Sequence, residues 1–438
     1  MKLNNKLNSL NSYPFHMPGH KRNAKFGISG SEIDITEING FDNLHNPEGV
    51  LLDIENRLKV HYKAEKSFML VGGSTVGILS AVFAVCSEGD TVIIARNCHK
   101  SVFNACMLRK LKVIYIEPEF NAENGFYTRI EQRTVDEAIK KHPEAKALII
   151  TSPTYEGYIS EITSPVPLII DAAHGAHFGI ADFPKYPKGD IVVSSLHKTL
   201  PALTQTAVLN VFNKEYISRV KLFLDIFETS SPSYVLMNSV DICLDYIENN
   251  KGDFESYYEL LEEFYNLELK HLKLLRADDL SRIVVSCENA HISAAELTNT
   301  LEFRFNIEPE AISKSYIILI STVADDEIAL KELYNALMIT DGVLNEKTAE
   351  VFKKPPCPDD EMLISIDECF EETELEKAAG KISNEFVFAY PPDIPLIVPN
   401  EIISANTLEY IKELLESGVN VISDSALLPD KILTKTKR

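Results

Sequence analysis

Seven short apolar runs, three to five residues each, recur between residues 67 and 211. They are Ser67 to Val71, Thr91 to Ala95, Val113 to Ile116, Ala147 to Thr151, Leu168 to Ile170, Ile191 to Val193 and Ala207 to Val211. These runs do not alternate polar with apolar, so they suit strands covered on both faces. Helical patterns lie among them. Leu51, Ile54, Leu58 and His61 form one stripe, and Val76 to Cys86 and about Ser101 to Leu108 read as further helices. The alternation predicts an α/β domain on a mostly parallel, seven-stranded sheet. Ligands of such sheets sit at the C-terminal strand ends. Ser74, His99, Thr154, Asp171 and Lys198 all fall at that edge, which points to one shared site.

With 438 residues, 45% of them hydrophobic, the chain can bury a large core in at least two domains. Residues 1–250 are expected to form an N-terminal segment and large domain. Residues 251–438 are expected to form a smaller α+β domain, linked by a long helical segment from Tyr234 to Leu275. Its strands are Arg282 to Ser286 and Ile317 to Ser321, and its helices Ala294 to Phe305 and Asp326 to Met338. Met1 to Ser12 is polar and expected to be loosely held, and Lys353 to Asp360 reads as a Pro- and charge-rich loop.

No apolar run approaches the ~20 residues that span a bilayer, and the first residues lack the apolar core of a signal peptide. A cytoplasmic protein with no membrane partner is expected. The seven cysteines are scattered and include no Cys-x-x-Cys, which argues against a disulfide framework and a structural zinc, and no metal is expected. Cys98 beside His99 reads as a packed thiol at a strand end, since adjacent side chains point apart. Acidic residues exceed basic ones, 65 to 43, giving a formal charge of −22. That surface repels nucleic acid. It suits cationic small molecules, but solubility is the preferred reading of the acidic excess.

The chemistry concentrates at Ser194-Ser195-Leu196-His197-Lys198-Thr199-Leu200-Pro201. A lysine follows an apolar strand and sits among hydroxyls and a histidine. Upstream, Pro167-Leu168-Ile169-Ile170-Asp171 is a buried-type strand ending on a carboxylate. A lysine that can carry an aldehyde and a strand-end aspartate are the minimum machinery for pyridoxal 5'-phosphate (PLP). Lys198 would hold the aldehyde, and Asp171 would keep the pyridine nitrogen protonated. Gly73-Ser74-Thr75 turns into a helix, and free N–H groups with hydroxyls at a helix N-terminus suit a phosphate.

At these residues the chain resembles the PLP-dependent ornithine/lysine/arginine decarboxylases of fold type I, whose large domain is aspartate aminotransferase-like. The resemblance rests on Ser195 to Gln205 and on His16-Met17-Pro18-Gly19-His20-Lys21. Phe41-Asp42-Asn43-Leu44-His45, Asn46-Pro47-Glu48-Gly49, Gly72 to Thr75, Arg96 to Ser101, Ser152 to Tyr155 and Thr229 to Tyr234 follow in order. Tyr390-Pro391-Pro392-Asp393-Ile394-Pro395-Leu396-Ile397-Val398-Pro399 completes the set. It implies that Ser195 and His197 add contacts to the phosphate, that His99 stacks on the cofactor and relays protons, and that Ala173 packs under the ring. His174 would line the pocket or orient its loop, and Thr154 and Tyr155 would border the cofactor. Thr229 would reach the phosphate of a neighbouring subunit, which implies a homodimer with shared sites or a larger assembly of dimers.

The implied activity is decarboxylation of a basic amino acid, arginine first and lysine or ornithine next, to a polyamine or its precursor. The chain resembles the short biosynthetic-type branch without the extra N-terminal domain. A cationic side chain needs an anionic partner in its pocket, and Glu156 and Glu228 are the candidates. Three features depart from the family pattern. Tyr158 to Pro167 is too short for the usual helix, Ala172 stands where an acid is common, and Asp393 and Asn400 replace glycines. The missing helix keeps open a catalytically impaired PLP-binding homologue with a regulatory role, and, because fold does not fix reaction, a different PLP reaction such as aminotransfer or aldol cleavage stays open too.

Overall fold

A computed structural model describes residues 2–358, 361–390 and 393–436. Pro391 and Pro392 of the C-terminal motif, and Asp360 at the end of the charged loop, lie outside the described residues. The chain divides into two compact units, each made of two stretches: Met1–Val85 with Ile169–Glu255, and Cys86–Leu168 with Ser256–Arg438.

In the first unit, strands lie in the order Lys66–Leu70, Ala207–Val211, Ile191–Ser195 and Leu168–Asp171. Ala207–Val211 is antiparallel to both neighbours, and Ile191–Ser195 is parallel to Leu168–Asp171. The other three strands therefore share one direction. Ala207 pairs with Leu70 on one side and Ser195 on the other. That register sets the turn after Leu70 and the lysine segment after Ser195 at one edge.

Helix Gly73–Val85 lies on this sheet through Gly77, Ile78, Ala81, Val82 and Ala84. Helix Ile217–Phe227 covers it, with Phe223 and Phe227 edge-on to Phe83. The long helical segment expected from Tyr234 breaks at Asn250. Two helices, Tyr234–Asn249 and Lys251–Tyr265, take its place, and Lys273–Leu275 is a strand. Nor is the N-terminus loose. Leu3–Asn8 is helical, with Leu3 and Leu7 buried, and Asn4 N donates to Asp241 Oδ2 at 3.1 Å. Two apolar residues four apart make one face even in a polar hexamer.

The second unit orders Leu148–Thr151, Thr91–Ala95 and Lys112–Ile116 as parallel neighbours. Met362–Leu363 pairs antiparallel with the last, a strand too short to show in the sequence. Lys273–Leu275, Arg282–Ser286, Tyr316–Ile320 and Ala311–Ile312 form an antiparallel sheet. Helices Ala294–Phe305 and Glu327–Asp341 belong to this α+β part, and Ser293 and Glu296 make a capping box. Nearer the C-terminus, Ile394–Ile397, Val387–Ala389 and Val421–Ser423 form a small sheet with helix Ala405–Glu416. Residues 158–167 contain neither helix nor strand, as their length requires.

Candidate active site

The lysine segment forms first from local geometry. Strand Ile191–Ser195 is wholly buried and runs into a single helical turn, Leu196–Thr199. Leu196 N donates to Thr206 O at 3.0 Å, and His197 Nδ1 donates to the same carbonyl at 2.9 Å. Burial lowers the His197 pKa, against the Thr206 bond, and the neighbouring Lys198 charge adds to the lowering. Lys198 Nζ lies 3.0 Å from His174 Nε2. An ammonium has only donors, so the imidazole accepts and keeps its own proton on Nδ1. His174 thus meets the lysine itself, a contact that the short Ala173-His174-Gly175 motif did not specify.

Asp171 ends its strand at 3% exposure. Its Oδ1 accepts from Ala173 N at 3.1 Å, and Ser195 N donates to Ala173 O at 3.2 Å. The aspartate and lysine strands are thereby stitched together at their C-terminal ends. Ala172 is fully buried, and its N–H continues the ladder to Val193 O, so an acid here would lie in the core.

The turn after Leu70 completes this edge. Gly73 has φ +77° and donates its N–H to Gln205 O at 2.9 Å. Helix Gly73–Val85 then starts, so its first-turn N–H groups, those of Ser74 and Thr75 among them, have no partner within the helix. Glu228 is buried here and accepts from Val71 N, Gly72 N and Thr229 N.

In the second unit His99 caps helix Lys100–Leu108. Its Nδ1 accepts from Ser101 N at 3.1 Å, which leaves the ring proton on Nε2, 3.8 Å from Asp393 Oδ2. Lys100 Nζ lies 3.2 Å from the same oxygen. Burial raises the Asp393 pKa, but the contacts with His99 and Lys100 outweigh it and leave the carboxyl below its usual range. Asp393 and Asn400 have φ of 63° and 76°, so both keep a backbone that glycine adopts freely. Asp393 beside His99 was legible only as a departure from the motif, because nothing local announces the pairing. Glu156 is buried and accepts from Tyr316 OH at 2.8 Å, and Tyr155 OH donates to Glu310 Oε1 at 2.8 Å. Burial raises the Glu156 pKa, partly offset by the Tyr316 bond. Cys98 is a buried thiol directed at Ile149 O.

This arrangement defines a PLP enzyme of fold type I. The Orn/Lys/Arg decarboxylase major-domain model matches residues 3–310, and the C-terminal-domain model matches residues 346–420. The chain belongs to the Orn/Lys/Arg decarboxylase family and is a decarboxylase. It is 30% identical over 473 aligned residues to YaaO of Bacillus subtilis (strain 168), itself uncharacterized, covering 97% of this chain and 95% of YaaO. It is also 30% identical to the arginine decarboxylase of Bacillus anthracis, covering 94% of this chain and 92% of that protein. Among solved structures, the constitutive lysine decarboxylase of Escherichia coli shares the fold with a TM-score of 0.75. Identity there is 16%, over 99% of this chain and 81% of that one.

The residues present fit PLP, the family's cofactor. Ser195 Oγ is fully buried and has no hydrogen-bond partner among the described residues. An orphaned hydroxyl costs about 1–3 kcal/mol, and a phosphate oxygen would satisfy it. The helix N-terminus, the lysine amine beside an imidazole and the buried aspartate would serve its phosphate, aldehyde and pyridine nitrogen.

Proposed function

We propose that this chain decarboxylates arginine first, and lysine or ornithine next, to the amine that serves as a polyamine or its precursor. The observation that carries the proposal is the near-full-length likeness to a protein named arginine decarboxylase. Bound PLP supplies an electron sink for the pair left when the Cα–carboxylate bond breaks. Lys198 would hold the cofactor through its amine and, as a free amine, would return a proton to Cα. His174 accepts from Nζ and keeps that amine aimed. Asp171, out of water at a strand end, keeps the pyridine nitrogen charged. Ser74, Thr75, Ser195 and His197 hold the phosphate. His99 keeps the stacking and proton-relay role that the family resemblance implies.

Of the two candidate acids, Glu156 is assigned to the substrate's cationic side chain. A buried carboxyl gains from a cation, and the cation loses several kcal/mol if buried alone. Both Glu228 oxygens are already held by backbone N–H groups. A homodimer with shared sites, joined through the Thr229 segment, belongs to the same proposal, and mixing inactive Lys198 and Thr229 variants tests it. The direct assay is release of labelled CO2 from carboxyl-labelled arginine, lysine and ornithine. Arginine is expected to be fastest. Faster release from a neutral or acidic amino acid would overturn the substrate class. PLP binding without any CO2 release would favour the impaired homologue.

A further inference from the structure

Glu228 follows helix Ile217–Phe227, and its carboxylate turns inward at 8% exposure. Oε2 accepts from Val71 N and Gly72 N, each at 3.1 Å, and Oε1 accepts from Thr229 N at 2.9 Å. The next amide, Gly73 N, donates to Gln205 O. The N–H groups of Val71, Gly72 and the helix's first residue, Gly73, are thus taken by acceptors within the chain. The first helical donors after them are left for an anion. The fit is close: a Cβ on Gly72 would lie 3.0 Å from Glu228 Oε1 and 2.6 Å from Val76 Cγ2. Thr229 is tied a second time, since its carbonyl accepts from His45 Nε2 at 2.8 Å.

Charge alone makes this residue unexpected. A carboxylate beside a phosphate site repels the phosphate. Its hydrogen bonds argue the other way, because one anionic side chain organises both the turn and the Thr229 segment through charge-assisted bonds. We propose that Glu228 is a positioning residue for the cofactor phosphate. It holds the amides of residues 71 and 72 so that Ser74 and Thr75 present the open donors, and it couples that turn to Thr229. The proposal rests on the assignment of Gly73–Thr75 to the phosphate.

The test separates reach from charge in the cofactor-free protein. Glu228→Asp keeps the charge and retracts it by a methylene. Glu228→Gln removes the charge and keeps one acceptor oxygen, which can serve Val71 N and Gly72 N, while its NH2 group can no longer accept from Thr229 N. PLP and pyridoxal, which lacks the phosphate, are titrated against each variant. Glu228→Asp is expected to weaken PLP about tenfold and to leave pyridoxal within about twofold, whereas Glu228→Gln stays within about threefold for both. Amide hydrogen exchange at Val71 and Gly72 is expected to quicken in Glu228→Asp and not in Glu228→Gln. PLP bound as tightly by Glu228→Asp as by the wild type would overturn the proposal. So would tighter PLP binding by Glu228→Gln, or equal losses for PLP and pyridoxal. Ser74→Ala serves as the reference. If it weakens PLP and Glu228→Asp does not, only the role of Glu228 falls. If neither weakens PLP, the phosphate assignment of the turn falls with it.

Discussion

Single residues separate what is chemically legible from what is not. Lys198 and Asp171 announce themselves because each ends an apolar run, and polar groups of defined type follow. Lys198→Ala is expected to abolish fixation of PLP to the chain by borohydride, read by intact mass. A variant still labelled would move the role to another lysine. Ser195 offers a finer check, because its buried hydroxyl has no partner among the described residues. Removing an unsatisfied buried hydroxyl leaves the cofactor-free protein as stable or about 1 kcal/mol more stable. Ser195→Ala should therefore hold or raise the melting midpoint without PLP while weakening PLP about fivefold to tenfold. A lower midpoint with unchanged PLP affinity would show that the hydroxyl serves the fold. The Lys198–His174 contact was not legible, because it depends on where the helical turn Leu196–Thr199 meets the segment after Asp171.

At the scale of elements, helix Gly73–Val85 shows how packing overrides propensity. Replacing a mid-helix glycine with alanine gains about 1 kcal/mol from propensity alone. At Gly77 the new Cβ would lie 2.7 Å from Val193 Cγ1 and 2.9 Å from Leu70 Cδ1, both on buried strands. A β-branched valine in a filled sheet has little room to yield. Gly77→Ala is expected to destabilise the protein by about 1–3 kcal/mol, measured by denaturant unfolding, and to weaken PLP as the helix lifts. A stabilised variant would show that the sheet relaxes. The seven strands between residues 67 and 211 were legible as continuous apolar runs, and helices Val50–Tyr62, Gly73–Val85 and Lys100–Leu108 as helical patterns, whereas helix Gln132–Lys141, with Val135 as its buried residue, was not. The break at Asn250 was not, since both helices continue the same composition. The N-terminal helix was missed because six residues hold too few turns to show a pattern.

For the whole molecule, buried carboxyls set the pH response. Burial raises the pKa of Glu55, Glu156 and Glu401 above the usual 4.5. The folded chain then binds these protons more tightly than the unfolded chain. Each group therefore subtracts stability as pH rises from 4.5 through its raised value, and the loss is complete above that value. Glu156→Gln removes one such group and still lets its amide oxygen accept from Tyr316. Its melting midpoint relative to the wild type should rise with pH from about 4.5 upward, followed by calorimetry without PLP. A difference independent of pH would mean that Glu156 stays ionised in the fold. The same variant should raise the KM for the best basic substrate.

The sequence by itself determined the fold class and the cofactor, and it named the two residues proposed for the chemistry. Strand ends, turn residues and a lysine among hydroxyls are local features, and hydrophobic periodicity reports burial directly. The tertiary structure alone decided which groups meet. Ala207 brings the turn after Leu70 and the lysine segment to one edge because an antiparallel strand lies between two parallel ones. Glu228 reaches amides more than 150 positions away in the chain. Asp393 meets His99 through a left-handed backbone. Such contacts depend on chain crossing and register, and neither composition nor spacing encodes the distance between residues that are far apart in sequence.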